Sequence, residues 1–339
     1  MPALLLMIVV ILLVFSKIGR TASAQNFISQ SRVSEVHDVI DIHHLPLGDG
    51  KISASPQRGY VTSCMTAFRG GGGPRGGGPP GGAQVVGPWI HGDTWDMTQK
   101  IAVQGRVTWP QATFRITTEG AERLVSRVIQ GNGLPVETVT GKFPVAYDDP
   151  AFQIDRNPNS IEVQQIVLKI AANPEVAAAP SCVPMGMIGV ALNGVEIFNA
   201  LDEGGRDAVA HEVQDICNGH PQMSGQYHYH GPSACLPNQT ANEMLIGYAN
   251  DGFGIYSMYD ANGRELANAD LDECHGRTGE VLWDGARVKM YHYVLTREYP
   301  YTIGCFRGTP VRAPGGDGRG RRGGPPPRDG PPYEPVLRK

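Results

Sequence analysis

The chain has 339 residues, enough for one large domain or two ordinary ones, and its 44 glycines and 27 prolines gather largely in two tracts. With 29 basic and 33 acidic residues its formal net charge is −4, which does not predict a nucleic-acid partner. Six cysteines without a C-x-x-C pair exclude a zinc knuckle or a thioredoxin-like motif and suggest three disulfides, for which fifteen connectivities exist.

The first element is the apolar run Ala3 to Phe15, shorter than the roughly 20 residues of a spanning helix. It leads to the small-residue pattern Ala22-Ser23-Ala24. Residues 1–24 are therefore expected to be a signal peptide, delivering a protein that is secreted, or periplasmic or cell-surface in a bacterium. Lys17 and Arg20 follow the apolar run instead of preceding it, so a retained anchor is the alternative and the only route to a membrane contact. Removal of the leader leaves a net charge of about −6.

Residues 25–180 read as a β-rich region interrupted by a flexible Gly/Pro-rich insert, 69–82, "RGGGGPRGGGPPGG". Alternation in "VQGRVTW" from Val103 and "TFRIT" from Thr113 predicts strands. "SIEVQQIVLKIA", Ser160 to Ala171, shows two alternating registers, as a strand with a bulge would. "AERLVSRVIQGNG" fits helix and strand equally. Residues 311–339, rich in Gly, Pro and Arg, read as a disordered tail.

Residues 181–310 carry an internal duplication. "GVALNGVEIFNALDEGG" from Gly189 aligns without gaps on "GYANDGFGIYSMYDANG" from Gly247, with six of seventeen positions identical. Asn193-Gly194 and Asp251-Gly252 predict two-residue type I′ hairpin turns, and a second turn follows at Asp202–Gly205 and Asp260–Gly263. Asp207 to Asn218 has helical spacing at Val209, Val213 and Ile216, with Asp207 as N-cap and Gly219 as stop. The parallel continues from "DIC" at Asp215 to "DEC" at Asp272, and from "YHYH" at Tyr227 to "YHYV" at Tyr291. Equivalent pairing of the cysteines gives Cys217–Cys235, Cys274–Cys305 and Cys64–Cys182. The symmetric alternative is Cys217–Cys274 with Cys235–Cys305. The expected fold is mainly β, α+β with minor helix, built on the duplicated hairpin module and tied by disulfides.

On a strand His228 and His230 share one face, with Tyr227 and Tyr229 on the other. Two such imidazoles suit Zn or Cu. Six of the ten histidines fall in this module, His292 at the position equivalent to His228 and His275 beside Cys274. The expected ligand set is His228, His230 and His292, completed by His275 or Asp272; His220 and His211 lie in the same module. A Ca site at "DLDE" is the weaker alternative, and "DANGRE" lacks the remaining oxygen ligands of a Ca loop and reads as a turn. Without a G-x-S-x-G motif or a free cysteine, covalent catalysis lacks support.

"GVALNGVEIF", "DICNGHPQMSGQYHYHGPSACL", "GYANDGFGIY", "DLDECHGRTGE" and "YPYTIGCFRG" together resemble the YHYH domain family of secreted proteins, over about Ile188 to Gly308. The text from "GPWIHGDTWD" to "DRNPNSI" is similar to what precedes that domain. Val294 replaces the fourth-position histidine in the second copy, so four equivalent imidazoles are not available. The resemblance implies the module's boundaries and secretion and names no activity. Three functions are compatible with the residues: a secreted transition-metal binder, an extracellular module with structural histidines that meets an extracellular ligand or surface, and a metal-dependent hydrolase or oxidase.

Overall fold

A computed structural model describes residues 40–65, 67–68, 86–121 and 125–312. The leader, the Gly/Pro insert 69–82 and the tail beyond residue 312 lie outside the described residues. The fold is mainly β, with one short α-helix among the described residues. Three disulfides tie it, Cys64–Cys182, Cys217–Cys235 and Cys274–Cys305.

Two sheets dominate. Strands β1 (Phe114–Glu119), β2 (Ser126–Gly131) and β3 (Ile166–Ala171) form an antiparallel three-stranded sheet with β2 in the centre. Of the segment with both helical and strand periodicity, Ser126–Gly131 is thus a strand. The two registers read in 160–171 do not make one bulged strand. The ladder starts at Ile166, while Glu162 N and Gln164 N bond instead to Gly225 O and Asn132 O, at 2.8 and 2.9 Å. In "VQGRVTW" only Val107–Thr108 forms a strand pair, because Val103 bridges to Asp215 of the module.

The second sheet has eight strands: β4 (Met187–Ala191), β5 (Glu196–Phe198), β6 (Gly219–Pro221), β7 (Tyr227–Tyr229), β8 (Leu245–Ala249), β9 (Gly254–Tyr256), β10 (Gly276–Trp283) and β11 (Ala286–Val294). Their order is β6-β7-β5-β4-β8-β9-β11-β10, and it has the same form from either end. On each side a hairpin (β4–β5, β8–β9) adds a parallel strand (β7, β11), which carries an antiparallel edge strand (β6, β10). The registers mirror one another: Gly219↔Tyr229↔Ile197↔Gly189 on one side, Gly276↔Tyr293↔Ile255↔Gly247 on the other.

The hairpin turns differ from the expected type I′. Of each Asn-Gly or Asp-Gly pair only the glycine has positive φ, +84° at Gly194 and +95° at Gly252. Gly194 N bonds to Ala191 O and Ala191 N to Val195 O, a three-residue loop closed by a glycine bulge. Asn193 and Asp251 keep ordinary φ because their side chains are engaged with Tyr229 and Tyr293. Among the described residues, the hairpin with both turn residues at positive φ is Asp284-Gly285, between β10 and β11.

Both faces of the large sheet are covered. Ile129, Ile166, Leu168 and Ile170 of the small sheet meet Met187, Val190, Tyr248 and Trp283. Arg127 of β2 lies over the Tyr248 and Trp283 rings, at 4.6 and 5.0 Å, and reaches Asp284 with a 2.8 Å contact. The opposite face buries Ile197, Tyr229 and Tyr293 with Trp89 and Trp95 from the N-terminal region.

The helix α1 is a single turn, Ala208–His211, not the span to Asn218 that the periodicity predicts. Asp207 caps it as expected, accepting from Ala210 N. Its end is set from outside. Gln214 Nε2 takes Ala208 O at 3.0 Å, Trp89 Nε1 takes Ala210 O at 2.8 Å, and Lys100 Nζ takes Val209 O. The Trp89 and Lys100 donors stand in for the N–H groups of a continuing helix, while Gln214 adds to the bond that Glu212 N makes to Ala208 O. Glu212 then turns to extended backbone (φ −87°, ψ 140°).

Candidate metal centre

The register of three strands builds the centre. His220 on β6 pairs with His228 on β7, and His228 pairs with Glu196 on β5. His230 lies two residues beyond His228, on the same face. Tyr227 and Tyr229 take the other face, where Tyr227 Oη donates to Asp215 and Tyr229 Oη accepts from Asn193 Nδ2. One ring nitrogen from each of His220, His228 and His230 lies within 4.8 Å of the others, and all three residues are at most 5 % exposed. This buried triple-histidine group can hold a metal ion.

Backbone carbonyls fix the rings. His228 Nδ1 donates to Gln226 O at 3.0 Å and His230 Nδ1 to Asn199 O at 2.5 Å. A carbonyl only accepts, so each ring carries a hydrogen on Nδ1 and turns Nε2 into the site. Those two Nε2 atoms face one another at 2.9 Å. Two bare lone pairs would repel at this distance, so a proton or a metal ion lies between the two nitrogens. Phe198 stacks on His228 with ring centroids 3.9 Å apart, closing that side.

Glu212 supplies the negative charge. Its Oε2 lies 3.2 Å from Nε2 of His220 and 3.2 Å from Nε2 of His230. Neither Glu212 Oε2 nor His220 Nε2 finds a hydrogen-bond partner of good geometry, although both are buried. Burial alone pushes the Glu212 carboxyl up, but His220 and His230 outweigh it and hold it well below the usual carboxylate range. Burial pushes the His220 ring down; Glu212 and Asp155 reverse this and raise it. Burial, then its two histidine neighbours, holds His228 well below the ordinary imidazole value, so this ring is neutral. Zn–N bonds of about 2.0–2.1 Å in a tetrahedron place ligand atoms about 3.3 Å apart. The observed 2.9 and 3.2 Å separations are close to that spacing.

The structure does not bring His292, His275 or Asp272 to this group. His292 pairs across strands with Arg277, and its Nδ1 bonds to Met290 O at 3.3 Å. His275 sits at φ +69° in the turn before β10, with Nε2 2.9 Å from Thr296 Oγ1. Asp272 is occupied by its own turn: Oδ1 accepts from Cys274 N, Gly276 N and Tyr291 Oη at 2.9–3.1 Å. Asp215 holds the equivalent turn of the first half in the same way. Glycine follows in both turns because a Cβ at Gly219 or Gly276 would lie 2.3 Å from the tyrosine Oη that reaches the aspartate. The carboxylates weighed for calcium are also engaged. Asp270 is paired with Arg264, and Asp260 accepts from Asn262 N and Arg264 N.

Glu212 escaped the sequence reading because it fell inside the predicted helix. His220 had a signal that was not followed: extending the match of "DIC" with "DEC" by three residues sets His220 against Arg277, a visible difference between the halves.

No curated protein and no solved structure matches the chain. Residues 167–266 match the sequence profile of the family described as YHYH protein. That stretch is shorter than the resemblance over 188–308. It contains Glu212, His220, His228 and His230, and it ends before Asp272, His275 and His292. The chain therefore carries a YHYH domain, spanning residues 167–266.

Proposed function

We propose that this protein is a secreted metal-binding protein that holds one transition-metal ion, Zn²⁺ or Cu²⁺, on His220, His228 and His230, with Glu212 as the fourth ligand. The observation that carries this reading is the pair of facing Nε2 atoms of His228 and His230 beside the unpartnered Glu212 oxygen. Three imidazoles and one carboxylate match the ligand preferences of these ions. The carbonyls on Nδ1 supply the outer hydrogen bonds that orient such ligands. When bound, the ion would neutralise Glu212 and take up the lone pairs. The ligand rings are enclosed, which favours a structural or storage ion over an open catalytic position.

Three disulfides favour an oxidising compartment, in line with an extracellular site of action. Among the described residues no helix is long and apolar enough to cross a membrane. We read the two halves of the large sheet as products of one duplication, of which the first half retains the ligands.

Metal analysis of tag-free protein, beside His228→Ala/His230→Ala, tests the proposal. About one equivalent in the parent and none in the variant is expected. Equal, near-zero metal in both after incubation with Zn²⁺ or Cu²⁺ would sink it. The rival reading, histidines that only knit the strands, predicts no change in Tm on chelation, whereas a bound ion predicts a fall.

A further inference from the structure

The second half of the sheet reproduces the metal cradle at three points, and a carboxylate from a different part of the chain stands beside it as a fourth. Arg277 on β10 pairs across strands with His292 on β11, as His220 pairs with His228. His292 Nδ1 bonds to the carbonyl two residues before it, as His228 Nδ1 does. The Tyr256 ring lies 5.0 Å from His292, where Phe198 lies against His228. Glu243 Oε1 stands 3.7 Å from Arg277 Nη2, as Glu212 stands beside His220. One position departs further: Val294, 1 % exposed, fills the place of His230.

We infer that the second half is the same cation cradle closed by a cation of its own, with the Arg277 guanidinium standing where the first half would hold its metal ion. Arg277 brings a fixed positive charge to the row that contains His292 and Glu243, and its buried Nε has no hydrogen-bond partner. A guanidinium is always charged and cannot act as a ligand. Its presence therefore repels a metal ion while satisfying the carboxylate that would otherwise attract one. Glu243 is held from a second side by Arg287, 3.2 Å away, so its charge is already balanced. The apolar Val294 removes the third nitrogen. Each substitution alone weakens the cradle, and both act in one direction. The chain should hold one ion, not two, although its sheet has two equivalent positions.

The inference rests on reading the first half as a metal site, and its test separates the two. The full chain carrying Arg277→His and Val294→His is titrated with Zn²⁺ by calorimetry, with circular dichroism as the check on folding. The expected stoichiometry rises from one to two, and from none to one in the His228→Ala/His230→Ala background. A folded Arg277→His/Val294→His chain that takes up no more Zn²⁺ than its parent, in both backgrounds, overturns the inference. So does an ion retained by His228→Ala/His230→Ala with Arg277 intact. If the unaltered chain takes up none while Arg277→His/Val294→His takes up one, the proposal for the first half falls and this one stands. Should the paired change prevent folding, Arg277→His alone keeps Val294 buried and decides the question in the His228→Ala/His230→Ala background. There, a Zn²⁺-dependent rise in Tm supports the inference, and an unmoved Tm overturns it.

Discussion

Glu212 Oε2 lies 3.2 Å from His220 Nε2, and neither atom has a hydrogen bond of good geometry. A buried carboxylate oxygen without a donor is unfavourable, because it has given up water for no partner. A cation bound among the histidines relieves this. Replacement by the isosteric amide removes the charge and retains the volume. Glu212→Gln is expected to weaken Zn²⁺ or Cu²⁺ binding by about tenfold or more, in the range known for perturbing a metal site's support and greater if Glu212 is a direct ligand. Competition against a calibrated chelator measures it. An unchanged affinity would remove Glu212 from the ligand set.

Two histidines outside that group make stability depend on pH. Burial drives His275 down to about 3, and burial, with Arg277 nearby, drives His292 down to about 4. In the unfolded chain both titrate near the ordinary value of about 6.5. Below that value the unfolded state binds more protons than the folded one, so stability is present above pH 6.5 and is lost as pH falls toward 4 and 3. Each ring contributes a slope of up to about 1.4 kcal/mol per pH unit in that window. His275→Asn puts in this turn the residue that Asn218, at φ +55°, supplies in the first half. Urea unfolding at pH 6.5 and 4.5 should show the parent losing about 2–3 kcal/mol more than His275→Asn between the two conditions. Parallel losses would show that His275 is not buried neutral.

The tyrosines of the motif have a separate task. Tyr227 Oη lies 2.9 Å from Asp215 Oδ2, and Asp215 also accepts from Gly141 N, Cys217 N and Gly219 N. The carboxylate thereby joins the N-terminal region to the turn that precedes β6. A hydrogen bond to a charged acceptor contributes about 1.5–3 kcal/mol. Tyr227→Phe should lower stability by that amount in chemical denaturation and leave metal stoichiometry unchanged. A loss of bound metal without a loss of stability would place Tyr227 in the site instead.

How far these features could be read from residues alone depends on whether their cause is local. Histidines two apart on a strand share a face by strand geometry alone, so His228 and His230 were legible. The strand–turn–strand units followed from alternation around Asn193-Gly194 and Asp251-Gly252, although the turn type did not. Engagement of Asn193 with Tyr229 and of Asp251 with Tyr293 keeps φ negative, and those tyrosines lie 36 and 42 residues away. Glu212 was illegible for the same reason. Its position depends on a helix stopped after one turn by Trp89 and Lys100, both more than 100 residues distant. His292 was read as a ligand because it occupies the position equivalent to His228. Only the β10–β11 register reveals Arg277 as its neighbour.

The last prediction concerns the disulfide that encloses the site. Cys217 and Cys235 are joined across 18 residues, and His220, His228 and His230 all lie inside that loop. Closing a loop of this length lowers the entropy of the unfolded chain, worth about 3 kcal/mol in the chain-entropy account. The same closure restricts the segment in the native state, so that three rings meet without an ordering cost at the moment of binding. Glu212 lies outside the loop, five residues before Cys217, and would remain when the loop is opened. Cys217→Ser/Cys235→Ser should therefore lose about 3 kcal/mol of stability and bind Zn²⁺ more weakly while still folded at low temperature. The matching Cys274→Ser/Cys305→Ser chain is the control, because its loop holds Arg277 and His292 and no proposed ligand. It should lose stability with Zn²⁺ affinity unchanged. Equal loss of affinity in the two variants would mean that the site responds to global loosening of the sheet, and not to the loop that carries it.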